Sequence, residues 1–368
     1  MDSRKFIKLV LGGTAAALLC VGGITVVLDP FFHYHKALEG VEYPLNDGME
    51  RYLNDGIIKT YDYDAAIVGT SMMQNFKTSQ FDSLFGTKSI KVTLTGETYW
   101  TIDQEVRKVL KANPDTKIIF RCLDYNKIFQ DENVHNYDNY PEYLLSQHCL
   151  HQSRHDNNIF NDVNYLLNKE IFLNDTLDVI KHNLQGKPTT TMDEYSFWEN
   201  EHPVGREQVI KSYERPAETT EQMPFSEEDR QAVIHNVETN ILETVRENPD
   251  TMFYFYTPPY SIAWWDSEYR KGMIEKYCEA EKLQAELLLP YENVRLYTFA
   301  DQYETITDLD QYMDIYHYGS AVSDRIIDWI YEGTGLLTAD NYKDKIDSVK
   351  EYYMNYDYDK VFEGEGNV

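Results

Sequence analysis

Residues 9–28, LVLGGTAAALLCVGGITVVL, contain no charged side chain, and a helix over that length matches the hydrocarbon thickness of a bilayer. A membrane span is predicted there. Arg4, Lys5 and Lys8 precede the run and Asp29 follows it, so the positive-inside rule predicts a cytoplasmic tail over 1–8 and an extracytoplasmic location for everything after residue 29. A cleaved signal peptide is the competing reading, but residues 24–28 offer no small-x-small cleavage pattern. A lipid anchor on Cys20 would want a small residue before it, where Leu18 and Leu19 stand.

Everything beyond the run is polar enough to be a water-facing globular body. The 368 residues are 42% hydrophobic and 14% aromatic, enough for a packed core, and the length suits one α/β catalytic unit carrying an insertion. A formal charge of −28 argues against nucleic acid, because neutralising phosphates takes clustered Lys and Arg. Outside the span only Cys122, Cys149 and Cys278 remain; their irregular spacing describes no disulfide framework and allows one bridge at most.

A juxtamembrane linker is expected over 29–62, where Gly and Asn-Asp turn signals recur. Residues 65–69 (AAIVG) then read as a first strand and 89–97 (SIKVTLTGE) as a second, and Ile102, Val106, Val109 and Leu110 follow at helical spacing. The helix should stop at Asn113-Pro114, before an apolar strand at 117–120. The phrase Asn-Pro-Asp-Thr returns at 248–251 before another apolar run, as two helix-to-strand connections in one sheet would require. A strand over 294–301 and a final helix carrying Val322, Ile326, Ile327 and Ile330 complete an alternation that predicts a doubly wound, mostly parallel α/β sheet. That domain is expected over 63–335, with a helical cap inserted at about 126–225 and an acidic, Tyr-rich segment over 336–368.

Two fragments carry chemistry. Ser71 follows the first strand in IVGTSMMQNF, which would put its hydroxyl at the carboxyl end of the sheet with helix amides behind it; a plain helix N-cap is the bland alternative. In MDIYHYGS, Asp314 and His317 precede the last helix, at a spacing that lets the carboxylate hold the imidazole while it takes a serine proton. Tyr260, Trp264 and Trp265, after two prolines at the end of the fourth strand, suit either a sugar-binding platform or aromatic packing under a loop. His148, Cys149, His151 and His155 have donor types that a metal site uses, with no second cluster to complete one. His33 and His35 beside the span would be exposed singly. No metal and no cofactor are expected.

Gly69-Thr70-Ser71 after the first strand, Gly96 after the second, and Asp314-Ile-Tyr-His317 before the last helix resemble, in order, three blocks of the SGNH/GDSL hydrolase superfamily, particularly its membrane-anchored bacterial members of the DltD-like and alginate O-acetyltransferase-like kind. The resemblance implies a three-layer, flavodoxin-like sheet, with Ser71 as nucleophile, His317 as general base then acid, and Asp314 orienting it. The amides of Ser71 and Gly96 would hold the oxyanion. Where the family has Gly-x-Asn-Asp, this chain has Arg121-Cys-Leu-Asp124-Tyr125-Asn126; Asn126 is the candidate for the missing donor, and Tyr260 and Trp264 for substrate contact. Implied partners are the membrane, a surface polysaccharide or teichoic-acid-like polymer, and a membrane protein that passes on an acyl group. The activity would be that of an esterase or O-acyltransferase. A non-catalytic scaffold or polymer-binding component is the alternative from another class.

Overall fold

A computed structural model gives the structure of the chain and describes residues 2–46, 48–134, 162–199, 201–219 and 221–363. His148, Cys149, His151 and His155, and with them much of the expected cap, lie outside the described residues. The chain forms two compact units, one of Met1–Tyr61 with Asn136–Thr191 and one of Asp62–His135 with Met192–Val368.

The first unit begins with α1 (Ser3–Leu28), a single helix whose mean hydropathy reaches 2.1 and which is long and apolar enough to cross a membrane. Asp29 ends it in the left-handed region (φ 40°), and its carboxylate then accepts the backbone N–H of His33 (2.8 Å), Tyr34 (2.6 Å) and His35 (3.0 Å) and the hydroxyl of Tyr165 (2.8 Å). The chain therefore folds back at once instead of leading away. The His35 ring nitrogens lie 3.0 Å from the Val26 carbonyl and 2.7 Å from that of Lys36, and His33 is buried 3.6 Å from Asp162, so neither imidazole is the singly exposed side chain expected.

Residues 29–62 are accordingly no linker. They contain α2 (Glu50–Thr60), whose Leu53 and Ile57 are buried, as are Phe31 and Phe32. A β-carbon on Gly56 would fall 2.0 Å from the Phe31 carbonyl, so only glycine lets α2 lie so close. Residues 162–191 join the same unit, through the turn Val163–Leu166, the π-helical turn Ile171–Thr176 and the helix Leu177–Leu184. Residues 192–225 belong to the other unit, so the expected cap is not one structural piece.

The second unit is built on β1 (Ala65–Gly69), α3 (Thr78–Phe85), β2 (Ser89–Thr93), α4 (Tyr99–Ala112), β3 (Ile118–Cys122), β4 (Met252–Thr257) and β5 (Val294–Thr298). The five strands are parallel, in the order β2-β1-β3-β4-β5. All residues of β1, β2 and β3 are buried, which suits the apolar run of β1 and its neighbours; Lys91 and Arg121 are buried with them and donate to backbone carbonyls. Strand order reverses beside β1, and such a switch point opens a crevice at the carboxyl ends of the strands. The two Asn-Pro-Asp-Thr phrases make matching turns, with Thr116 and Thr251 donating their N–H to the carbonyls of Asn113 and Asn248 (both 3.2 Å).

The stretch after residue 335 is part of this unit's core. Its helix Tyr342–Met354 packs on the helix Ile274–Leu288, and Tyr353 stacks on Trp265 with ring centroids 3.8 Å apart and planes 5° from parallel. Cys122 and Cys278 are both buried free thiols.

Candidate active site

The turn after β1 sets Ser71. A β-carbon on Gly69 would lie 2.4 Å from Met73 Cγ, so glycine lets the chain double back directly. Thr70 is extended (φ −82°, ψ −164°), and its hydroxyl donates to Asp124 Oδ2 at 2.9 Å. Ser71 then opens a single 3₁₀ turn, Ser71–Met73, and α3 starts only at Thr78. The helix amides expected directly behind Ser71 are thus replaced by one tight turn, because Phe76 (0% exposed) is drawn into the core before α3 begins.

A second turn sets His317. Tyr312 and Tyr318 pair in an antiparallel bridge, and Met313 N–H donates to the His317 carbonyl at 2.8 Å. Asp314 Oδ1 accepts the backbone N–H of Tyr316 (2.7 Å) and His317 (2.8 Å), which leaves Oδ2 for His317 Nδ1 at 2.7 Å. Three outside bonds pin the turn: Tyr312 Oη to the Pro259 carbonyl, Ser261 Oγ to the Ile315 carbonyl (both 2.7 Å), and Tyr318 Oη against Tyr256 Oη (2.9 Å).

The two turns meet with Ser71 Oγ 2.8 Å from His317 Nε2. A carboxylate on Nδ1 keeps the imidazole proton on that nitrogen and leaves Nε2 free to accept from the serine. Burial alone would raise the Asp314 carboxyl, but the His317 ring and the two backbone N–H groups outweigh it and hold the group below the usual aspartate value. Its side chain keeps 31% exposure and that of His317 21%, so the relay stays within reach of solvent and substrate. Chemically this is a hydroxyl, a base and an orienting carboxylate in mutual hydrogen-bond contact.

No family model matches the chain, and no curated protein matches it. The site is therefore read from its own geometry.

The remaining expected site residues separate into edge and core. Gly96 lies in an exposed turn after β2 with φ 71°, and its carbonyl accepts from Lys127 Nζ at 3.0 Å. Asn126 is exposed in the 3₁₀ turn Tyr125–Lys127. Between it and β3, Asp124 is buried, with Oδ1 accepting from Tyr260 Oη at 2.9 Å. Tyr260 and Trp264 are 2% and 0% exposed, and Trp264 stacks on Tyr125 at 5.3 Å. They, with Trp265, are core residues and not a surface platform, because the chain after Pro258-Pro259 turns inward and Asp124 takes the Tyr260 hydroxyl.

One neighbour has no sequence signal. Trp198 sits edge-to-face with His317, ring centroids 4.8 Å apart at 90°, and its backbone N–H donates to Asn75 Oδ1 at 3.3 Å. Its segment is fixed to the sheet by the buried Lys91, whose Nζ donates to the carbonyls of Asp193 (3.2 Å) and Gln74 (2.7 Å), and by the Thr93–Ser196 hydroxyl contact at 2.9 Å. Trp198 falls in the stretch read as cap, where nothing in the residue pattern ties it to the sheet.

Proposed function

We propose that this chain is an extracytoplasmic serine esterase or O-acyltransferase of the SGNH type, acting on O-acyl groups of a cell-envelope polymer through an acyl-enzyme on Ser71. The observation that supports it most is the continuous relay from Ser71 Oγ through His317 to Asp314, at 2.8 and 2.7 Å. Ser71 Oγ attacks the ester carbonyl while its proton passes to His317 Nε2; the proton then goes to the departing alcohol as the C–O bond breaks. Water, or a sugar hydroxyl, enters next and attacks the acyl carbonyl while its proton passes to the same nitrogen; the bond from the acyl carbon to Ser71 Oγ then breaks as His317 returns that proton to the serine oxygen. The Ser71 amide and the turn at Gly96 are the proposed oxyanion donors. The envelope setting rests on the span-length helix α1 and on the basic residues Arg4, Lys5 and Lys8 ahead of its apolar run.

The test is covalent labelling of the full chain by a fluorophosphonate probe. Labelling is expected on Ser71 and should vanish in Ser71→Ala and His317→Ala variants that keep the wild-type melting transition. A folded wild-type chain that never labels and never cleaves an aryl acetate would instead favour a non-catalytic, polymer-binding role.

A further inference from the structure

Five side chains in one short stretch are exposed although large and apolar: Val163 (48%), Leu167 (36%), Leu173 (57%), Ile180 (38%) and Leu184 (82%). Outside α1 only four other large apolar or aromatic side chains of the described residues are as exposed, namely Tyr34, Val134, Met223 and Tyr331, and they are scattered along the sequence. Isolated exposed apolar residues need no explanation, whereas a concentration marks a surface that something covers.

The contacts of α1 say where this stretch lies. A β-carbon on Gly22 would stand 3.6 Å from Leu167 Cδ2 and 3.7 Å from Leu166 Cβ, so the turn Val163–Leu166 lies against α1 at that level. One turn further along, Thr25 Oγ1 meets Thr176 Oγ1 at 3.4 Å, with both threonines fully buried. Gly22 is six residues before the end of α1 at Leu28, about 9 Å along the axis. If α1 crosses the bilayer, a segment that touches it at Gly22 lies below the level at which the helix leaves the hydrocarbon.

We propose that Val163, Leu167 and Leu173 sit in the outer boundary of the bilayer beside α1, so that this unit rests in the lipid interface as well as being tethered through it. The surface fits a lipid boundary because its apolar members are flanked by Lys169, 84% exposed and 3.3 Å from Glu170, and Lys181, 68% exposed and 3.5 Å from Asp178; each ammonium keeps an open side for a phosphate headgroup while its stem covers apolar surface. Thr25 and Thr176 pair with each other, so no lone hydroxyl of that contact faces hydrocarbon. The proposal rests on the reading of α1 as a span and is independent of the chemistry at Ser71.

The test uses the full chain in phosphatidylcholine–phosphatidylglycerol vesicles, with the environment-sensitive dye NBD on single cysteines. In a background with Cys20→Ser and Cys149→Ser, the dye is placed by Leu167→Cys, Leu173→Cys or, as a water-facing reference, Glu227→Cys. A fourth sample carries it on native Cys20. Nitroxide-labelled lipid should quench the dye at 167 and 173 several-fold more than at 227, with blue-shifted emission. Spectra at 167 and 173 that match the one at 227 while Cys20 is quenched overturn the proposal and leave the span intact. Blue-shifted emission that lipid nitroxide does not quench overturns it in favour of a protein contact. An unquenched Cys20 removes the span, and the proposal with it.

Discussion

Two aspartates reach the Ser71 turn from opposite directions, Asp124 through the hydroxyl of Thr70 and Asp314 through the imidazole of His317. Asp124 is buried, and its oxygens are occupied by the hydroxyls of Thr70 and Tyr260 and faced by the thiol of Cys122. Asp314 is partly exposed and keeps one oxygen for a ring that titrates. A carboxylate satisfied by hydroxyls holds a shape; one satisfied by an imidazole can also steer a proton. Position near a nucleophile therefore does not assign a role, and the partner's chemistry does.

The largest effect should come from the two groups in direct contact. Ser71→Ala and His317→Ala are each expected to lower aryl-acetate cleavage by about 10⁴-fold or more, and the double variant should be little worse than either, since members of one relay are not additive. Multiplying losses in the double variant would show that the pair does not act as a unit.

Asp314→Asn should cost less, about 10²–10⁴-fold in turnover, because the amide no longer holds His317 in the tautomer that accepts the serine proton. The Asp314 carboxylate is held below its usual value, so its contribution to stability is present at neutral pH and is lost as pH falls through its folded value. Melting curves of wild type and Asp314→Asn should accordingly differ at pH 7 and converge below about pH 4. Wild-type turnover in Asp314→Asn would reduce Asp314 to a turn residue like Asp124.

For Asp124→Ala the expected loss is in stability, about 2–3 kcal/mol from stranding buried hydroxyls, with the folded protein keeping its turnover and Ser71 still labelled by the probe. A loss of turnover as large as that of Asp314→Asn in folded Asp124→Ala would dissolve the contrast between the two aspartates.

The smallest effect concerns Asp175, whose carboxyl is buried with one amide donor, Asn46 Nδ2 at 3.2 Å, and is pushed up to about 6, mainly by burial. Stability from this group is full below its unfolded value and falls as pH rises toward 6. Asp175→Asn should stabilise the protein by about 1 kcal/mol at pH 7 and by nothing at pH 4, as thermal melts at the two pH values would show.

The alternation of apolar strands and periodic helices was legible because a parallel sheet buries whole runs such as residues 65–69, and turn chemistry punctuates them. Ser71, Asp314 and His317 stood out because each follows or precedes a strong element. Around them the signals failed for physical reasons. Leu53 and Ile57 sit four residues apart as on any helix, but the Asn-Asp-Gly of 54–56 between them looked like a turn; Gly56 is there because α2 presses on Phe31. Aromatic residues after a strand look the same whether they line a cleft or fill a core, and the partner that draws Tyr260 inward, Asp124, is remote in sequence. Trp198 reaches His317 through the anchoring of Lys91, Ser196 and Asn75, contacts that no local pattern announces.

The stack of Tyr353 on Trp265 has a consequence for how the protein is made. Synthesis delivers Trp265 well before Tyr353, so until the helix Tyr342–Met354 arrives the indole has only the edge contacts of Trp264 and Tyr125 and no ring stacked on its face, and the Ala300 carbonyl lacks the Tyr353 hydroxyl, 2.8 Å away in the finished fold. A chain broken between His317 and Tyr342 would still carry every member of the Ser71 relay and yet leave that indole face uncovered. The helix Tyr342–Met354 is thus a late-arriving seal over a face that the strands and the relay leave open.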